Sequence, residues 1–430
     1  MNTVNLLSFA SWIKSFGGVL LAIVILLAMV TIHEFGHYVA GKLLGFKINE
    51  FSVGFGPAIF KKRSKKTGEL FALRIIPLGG YCAFDGEDEL EEENPQTDAL
   101  KTEEEPFAEM TTESKNDGGM YETNEQTAPP NYPEPKGEKF NDQPPWKRII
   151  VLIAGATMNY ILALFLIILM FATVGRPTYQ VVKVAPPENP HPNATQTYET
   201  GLQTGDVILE INGKSMYLLT DYTKILDGKK KGDVVNVLVS RDGKEQIVPV
   251  TLFEDVNVKN MSDSDSVLFS LGIAARGEVE QEDGSYQVQT VRGGGLSTVT
   301  VDDGFFETIG HSFVYSFKIG GTILRSLGEL LTGKIGMDSM GGPVTTIKVT
   351  SQAASSGWLS FLNIAAFIGV NLAVFNLLPI PALDGCKMIF CLIEWIRKKP
   401  VNRKVETIIH FGGIIFLLGF AVLVDLLQLF

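Results

Sequence analysis

The residues from Gly17 to Leu44 decide the fold, and they read GGVLLAIVILLAMVTIHEFGHYVAGKLL. The first part of this stretch is uncharged, and the stretch supplies the roughly 20 apolar residues that a bilayer-spanning helix needs. Its second part contains His33, Glu34 and His37 in the pattern HExxH. Ionisable residues inside an apolar span are costly and by default functional. The stretch therefore predicts a transmembrane helix that carries a polar site.

The HExxH pattern predicts a zinc site. Residues i and i+4 lie on one face of a helix, so His33 and His37 can bind the same ion. A catalytic zinc takes three protein ligands and keeps a fourth position for water, whose pKa it lowers. Glu34 lies one step around the helix and is the predicted general base. A chance match is the alternative, and with 5 His in the chain we expect one roughly once in a hundred such sequences.

A third ligand is sought in the segment NLLPIPALDG, from Asn376 to Gly385. Pro379 and Pro381 should end the preceding helix. Irregular backbone at membrane depth is tolerated only where it packs in protein or lines a cavity. Asp384 follows there, and its carboxylate would suit zinc. An ordinary helix-end turn with a surface aspartate fits these residues equally well, so both interpretations stay open at this point.

Three further apolar runs predict three more spans, from Ile149 to Val174, from Trp358 to Leu378 and from Ile408 to Leu427. The run from Phe305 to Leu331 is also apolar, but charged residues recur through its middle. Such a pattern predicts an amphipathic helix that lies on a membrane surface. We therefore expect four transmembrane helices.

The segments between the spans differ in composition. Phe46 to Tyr81 is rich in aromatic and β-branched residues with Gly and Pro, which predicts short strands or hairpins. Asp85 to Pro145 contains 19 acidic and 4 basic residues, so it should be disordered, and a solvated linker is favoured over a regulatory tail. Pro177 to Leu252 alternates apolar residues between Gly-Asp and Asp-Gly turns, which predicts a globular domain.

Charge and cysteine usage restrict the compartment. The chain has 48 acidic and 37 basic residues, with no basic patch interleaved with aromatics, so it is not expected to bind nucleic acid. Lys and Arg cluster after the first and third spans, and the positive-inside rule places both segments in the cytoplasm. The Pro177–Gly357 region is then outside the cell, and His37 and Asp384 share the cytoplasmic half of the membrane. The 3 Cys are expected to be free thiols.

With these motifs in this order, the sequence resembles the site-2 protease family of intramembrane zinc metalloproteases. HEFGH in the first span, GFGP and PLGGY after it, and NLLPIPALDG in a late span carry the resemblance. It is closest to the bacterial, PDZ-containing regulator-of-sigma-factor proteases. The region GLQTGDVILEINGK looks like the PDZ domain of such proteases.

The resemblance implies that Zn²⁺ is bound by His33, His37 and Asp384, with Glu34 as the base. It implies single-pass transmembrane substrates within the lipid bilayer, such as anti-sigma factors already trimmed by another protease, or signal-peptide remnants. Asn371 and Asn376 match family asparagines near the substrate, although helix-to-helix hydrogen bonds would explain them equally well. The location implied is a bacterial cytoplasmic membrane.

The predicted fold is a polytopic α-helical membrane protein with four transmembrane helices, a membrane-associated β-hairpin region and an extracytoplasmic PDZ-like α+β domain. The predicted segments are the first span with HExxH (1–45), the β region (46–84), the acidic insert (85–145), the second span (146–176), the PDZ-like domain (177–254), extracytoplasmic strands with the surface helix (255–357), the third span with LDG (358–386), and a cytoplasmic basic loop with the fourth span (387–430).

Two departures from the family pattern stand out. The family's AGPxxN reads AGATMN here, so Asn159 is kept and the proline is missing, and Cys386 replaces the second glycine of LDGG. Two other functional classes are compatible with parts of the sequence. One is a membrane-anchored PDZ scaffold, which would have no use for a base at Glu34, and the other is an anchored zinc protease that cuts soluble segments.

Overall fold

The computed structural model describes residues 3–87, 132–184, 200–256, 262–280, 286–292, 294–336 and 340–428. Within these ranges the helices are α1 (Thr3–Leu44), α2 (Pro145–Val174), α3 (Leu219–Ile225), α4 (Asp263–Ser270), α5 (Phe305–Leu331), α6 (Pro343–Ser356), α7 (Trp358–Asn376), α8 (Asp384–Arg397) and α9 (Arg403–Leu427). The strands are β1 (Ile48–Arg63), β2 (Leu70–Phe84), β3 (Arg176–Lys183), β4 (Val207–Ile211), β5 (Lys214–Ser215), β6 (Val234–Arg241), β7 (Lys244–Thr251), β8 (Ala275–Glu280), β9 (Tyr286–Arg292) and β10 (Gly295–Val301).

The chain divides into two compact units. The first is built from the described parts of Met1–Leu162, Gly336–Ser356 and Ile368–Phe430, and the second from those of Ala163–Ile335 and Gly357–Phe367. The functional motifs HEFGH and LDG both belong to the first unit.

Four helices in the described part of the chain are long and apolar enough to cross a membrane. They are Gly17–Leu44 of α1, then α2, α7 and α9. This confirms the predicted number of candidate spans. The predicted amphipathic helix is α5, which is not among the four; small polar residues such as Ser312 and Ser316 are buried, whereas Phe306, Phe313 and Phe317 are exposed. Its position on a membrane surface stays a prediction.

The structure corrects the predicted end of the third span. Helix α7 ends at Asn376, before Pro379 and Pro381 as expected, but Asp384 does not belong to the same helix. It begins a new helix, α8, after an irregular segment in which Ala382 has a φ of 79°. The segment after residue 387, predicted as a loop, therefore continues as α8 before the chain reaches α9.

The borders of the predicted disordered insert were wrong. Phe140 is only 4% exposed and packs with Phe46 and Phe84 in a core of the first unit. Its backbone N–H donates to the carbonyl of Asp85 at 2.8 Å, and Asp85 pairs with Lys47 at 2.9 Å. Residues 85–87 and 132–145 are thus structured, because an aromatic side chain within the acidic segment joins the core. The rest of the predicted insert lies outside the described residues.

Strands β1 and β2 confirm the predicted hairpin, and both are bent. The first half of β1 pairs with the two ends of β2, through Ser52↔Tyr81 and Ser52↔Ala72. The bends coincide with the GFGP and PLGGY motifs, where Gly54 and Gly79 have φ values of 85° and 127°. A side chain at Gly54 would meet the carbonyl oxygen of Ile76 at 2.8 Å. Glycine is therefore required where the hairpin folds back on itself.

Buried Glu69 ties this hairpin to the end of α1. It is 1% exposed, pairs with Lys42, and accepts a hydrogen bond at 3.0 Å from the hydroxyl of Tyr38, the residue after His37. A buried carboxylate is stable only when it is paired and hydrogen-bonded. Glu69 therefore fixes the hairpin on the helix that carries HExxH.

The second unit contains an antiparallel sheet in the order β10-β3-β4-β6-β7, with β5 paired to β4. Its core includes Tyr222 of α3, and also Val256 and Val267, which follow the predicted border at residue 254. Strand β10 joins the same sheet by pairing with β3. The predicted border therefore falls inside the domain, because a strand more than 40 residues further along the chain completes its sheet.

Asp425, the charge near the end of the fourth span, caps another helix in the first unit. The backbone N–H groups of Val344 and Thr345, in the first turn of α6, donate to its carboxylate at 3.0 and 3.3 Å. The first N–H groups of a helix have no partner within the helix, and their dipoles favour a negative charge. An acidic residue is therefore stable at this place in an apolar helix.

Replacing Asp425 should loosen α6. Asp425→Leu is expected to lower the free energy of unfolding by about 1 kcal/mol, the usual effect of losing a helix cap. Asp425→Asn keeps one acceptor and should lose less. Thermal unfolding of the purified variants in detergent checks this, and a leucine variant as stable as the parent would contradict the capping role.

Candidate active site

The imidazoles of His33 and His37 lie side by side on one face of α1. Their Nε2 atoms are 3.1 Å apart, and the two residues are 8% and 6% exposed. Oδ2 of Asp384 lies 3.0 Å from Nε2 of His33 and 3.3 Å from Nε2 of His37. Three donor atoms, two from α1 and one from a residue 351 positions after His33, thus converge on one point.

Asp384 reaches this point because α8 starts there. The chain turns sharply between Leu377 and Asp384, and a side chain at Gly385 would collide with the backbone of Leu377 and Leu378. The LDG motif therefore needs its glycine for close backbone packing. Asp384 therefore lies beside the two histidines and not at an exposed surface turn, and its role as a metal ligand stays a prediction.

Helix α2 packs closely behind the two histidines. The backbone carbonyl of Val151 lies 2.8 Å from Nδ1 of His37. A side chain at Gly155 would overlap the ring of His37 and approach the ring of His33 at 2.8 Å, and one at Gly36 would overlap the carbonyl of Ala154. Small residues at such crossings let helix backbones approach within a membrane. The glycines set how close α2 lies to the ligands.

The three side chains fit a zinc ion. Two donors about 2.0–2.1 Å from a tetrahedral ion lie roughly 3.3 Å apart, and the measured separations of 3.0, 3.1 and 3.3 Å match this value. The Nδ1–H of His37 can donate to the Val151 carbonyl, which leaves the Nε2 lone pair for the metal. Two histidines and one carboxylate also match the ligand set of catalytic zinc, which keeps a fourth position open.

Glu34 faces a cavity of about 680 Å³ beside these residues, which His37 and Asp384 also line. Its Cγ lies 3.4 Å from the position of a side chain added to Gly80. The Glu34 side chain thus lies against the PLGGY bend. Because Glu34 lines the same cavity as His37 and Asp384, its carboxylate can exchange protons with a molecule bound in that cavity.

The last segment of β2 forms one wall of this cavity, through Tyr81, Cys82, Ala83 and Phe84. Within the part of the chain that the structure describes, this segment pairs with β1 only. Its second edge can therefore accept another strand.

Burial, and then the charge of Glu34, raises the pKa of the Cys82 thiol. The thiol stays protonated and is a poor metal ligand.

The structure brings four of the six predicted site residues together: His33, Glu34, His37 and Asp384. Asn371 and Asn376 are half-buried on α7, and neither is among the described residues that line the cavity. Sequence reasoning gave no role to Gly155 or Asn159, although their spacing of four was a usable signal. Asn159 is 1% exposed, and its Nδ2 lies 3.4 Å from Nδ1 of His33.

A buried site with this donor set, next to helices that can cross a membrane, defines a membrane zinc metalloprotease. The model of peptidase family M50 matches residues 21–420, and the chain belongs to this family. It is a zinc metalloprotease of the site-2 type. The family assignment agrees with the resemblance that its motifs indicate.

Similar proteins cover nearly the whole chain. The regulator of sigma-W protease RasP of Bacillus subtilis is 28% identical over 92% of this chain and 94% of its own length. The zinc metalloprotease RasP of Bacillus licheniformis is 28% identical over 91% of this chain and 93% of its own length. Among solved structures, the PDZ domain of an SdrC-like protein from Listeria monocytogenes is 22% identical over 18% of this chain and 72% of that chain, with a TM-score of 0.14.

Proposed function

We propose that this protein is an intramembrane endopeptidase in which His33, His37 and Asp384 hold zinc and Glu34 is the general base. The observation that carries the proposal is the convergence of three metal-binding atoms within 4.8 Å of one another, beside the cavity that Glu34 lines. Both histidines belong to a helix apolar enough to cross a membrane. The site is therefore built for peptide hydrolysis at membrane depth.

When bound, zinc supplies a Lewis acid that polarises a peptide carbonyl and makes water a stronger nucleophile. Glu34 accepts a proton from the attacking water and returns one to the amide nitrogen that leaves, so protons balance over the reaction. The Val151 carbonyl holds the His37 ring in its ligand orientation. Asp384, at the start of α8, would complete the ligand set.

A peptide bond within a helix is shielded by its own hydrogen bonds, so the substrate must be extended before it is cut. The free edge of the last β2 segment lies along the cavity, and a peptide strand can add to such an edge through its backbone. Asn371 and Asn376 are proposed to hydrogen-bond the unwound substrate. Their position on α7, which leads towards Asp384, supports this role, while hydrogen bonding between helices is the alternative.

The proposed substrates are transmembrane segments of single-pass proteins, already trimmed by another protease. Anti-sigma factors are the first candidates, because one relative is named a regulator of sigma-W, and signal-peptide remnants are the second. The proposed location is a bacterial cytoplasmic membrane, with the PDZ-like domain outside and the zinc site towards the cytoplasm. The clusters of Lys and Arg after the first and third spans support this orientation.

A reconstituted assay tests the proposal. The protein in vesicles should cut a trimmed single-pass model substrate within its apolar segment, which mass spectrometry of the products would locate. An unfolded soluble protein offered at the same concentration should be cut at least about 100 times more slowly. The reason is that a membrane segment is confined to the same bilayer as the buried site, whereas a soluble chain is not. Equal cleavage of both would favour the anchored protease of soluble segments, and cleavage of neither by the zinc-loaded protein would favour the scaffold.

A further inference from the structure

One face of α2 carries Val151, Gly155 and Asn159 at intervals of four residues. This face lies against His33 and His37, which have the same spacing on α1. The Val151 carbonyl lies 2.8 Å from Nδ1 of His37, and Asn159 lies 3.4 Å from Nδ1 of His33. Each of the two histidines predicted to bind zinc therefore has its own polar partner on α2, with Gly155 making room between them.

The Asn159 side chain is a costly group in this place. It is 1% exposed within a candidate span, and its Oδ1 is buried without a hydrogen-bond partner among the described residues. An unsatisfied buried polar atom destabilises the folded state. A leucine on this face of α2 would carry no such unsatisfied atom. A ligand-related role would explain why an amide stands here.

The chemistry of zinc binding supplies that role. A histidine that binds zinc through Nε2 carries its proton on Nδ1, and this N–H needs an acceptor. For His37 this acceptor is the Val151 carbonyl. For His33 the side chain beside Nδ1 is that of Asn159. The recorded orientation puts Nδ2 nearest, but a half-turn of the amide exchanges its oxygen and nitrogen. That rotation gives Oδ1 a donor and the His33 Nδ1–H an acceptor, and Nδ2 then takes the place that Oδ1 had.

We propose that Asn159 is a positioning residue whose side-chain carbonyl accepts a hydrogen bond from Nδ1–H of His33 and so fixes that ring for zinc. The inference rests on the proposed zinc site, but it is independent of the proposed substrate. Asn159 acts on the ion only through His33. The competing explanation is an amide that merely bonds between helices.

Zinc affinity separates the two explanations. Full-length Asn159→Leu and Asn159→Ser in detergent would be stripped of metal and titrated with zinc against a chromophoric chelator. We expect Asn159→Leu to bind zinc about 10–100-fold more weakly than the parent, the usual effect of losing an outer-shell partner. Asn159→Asp keeps an acceptor and should bind at least about tenfold more tightly than Asn159→Leu. Asn371→Leu makes the same chemical change on α7 and should leave zinc affinity unchanged.

A spectroscopic measurement distinguishes the same two explanations of Asn159. The absorption bands of Co²⁺ bound to Asn159→Leu should shift from those of the parent and return towards them in Asn159→Asp, because the orientation of the His33 ring alters the ligand field. Thermal unfolding of the metal-free forms establishes that each variant is folded, and Asn159→Ser serves if the leucine variant is not. Parental zinc affinity in Asn159→Leu or Asn159→Ser would overturn the proposal, as would a folded Asn159→Asp that binds zinc no better than Asn159→Leu. A protein that binds zinc as expected but cuts no membrane substrate would refute only the proposed function.

Discussion

Glu34→Gln should retain zinc and lose about 10²–10⁴-fold in the rate of peptide hydrolysis, the range for removing a general base. The glutamine side chain has nearly the same shape, but it cannot accept a proton from water. Glu34 is not among the three residues whose donor atoms converge. Metal binding and cleavage should therefore separate in this variant.

The measurement combines metal analysis of the purified protein with turnover of a reconstituted membrane substrate. Asp384→Ala is the matched variant, since it removes a ligand and should lose both zinc and activity. Turnover by Glu34→Gln close to that of the parent would contradict the proposed mechanism. Loss of zinc from Glu34→Gln would show that Glu34 is itself a ligand.

Gly155→Ala should weaken zinc binding by at least about tenfold, comparable with the loss of an outer-shell contact. The added methyl group would overlap the His37 ring and press on the His33 ring, so either the rings rotate or α2 moves away. Overpacking of this kind usually costs about 1–3 kcal/mol. Alanine favours a helix more than glycine does, so helix propensity cannot explain a loss.

Gly419→Ala on α9 is the control for this change. A side chain added there meets no atom within 4 Å, so zinc affinity should stay at the parental value. Chelator competition measures both variants under the same conditions. Unchanged affinity in Gly155→Ala would mean that the crossing of α1 and α2 can relax without disturbing the ligands.

The sequence predicts the parts of this protein that depend on local patterns. Apolar length is enough to identify four candidate spans, and the i, i+4 spacing is enough to pair His33 with His37. The position of Asp384 at the start of a helix was not predictable, because α8 follows an irregular turn whose course depends on packing around Gly385. The four apolar runs and the positive-inside rule nevertheless predict that Asp384 and His37 share one half of the membrane.

Errors arose where a distant segment completes a structure. Phe140 lies in an acidic stretch, and its packing with Phe46 and Phe84, together with its backbone hydrogen bond to Asp85, orders that end of it. Strand β10 belongs to a sheet whose other strands end at Thr251. The roles of Gly155 and Asn159 depend on the packing of α2 against α1, which the sequence of α2 alone does not reveal. A short stretch of sequence shows its own hydrophobic periodicity, but it does not show which remote parts of the chain it will contact.

The separation of 351 residues between His33 and Asp384 has a consequence for biosynthesis. At 5–20 residues per second, a ribosome needs about 20–70 s to pass from the first ligand to the third. During this interval, α1 can enter the bilayer with two imidazoles but without the carboxylate that would complete their ligand set. The nascent enzyme should therefore be inert towards neighbouring proteins at the insertion machinery. Proteolytic competence would arise only after the last third of the polypeptide has emerged and docked.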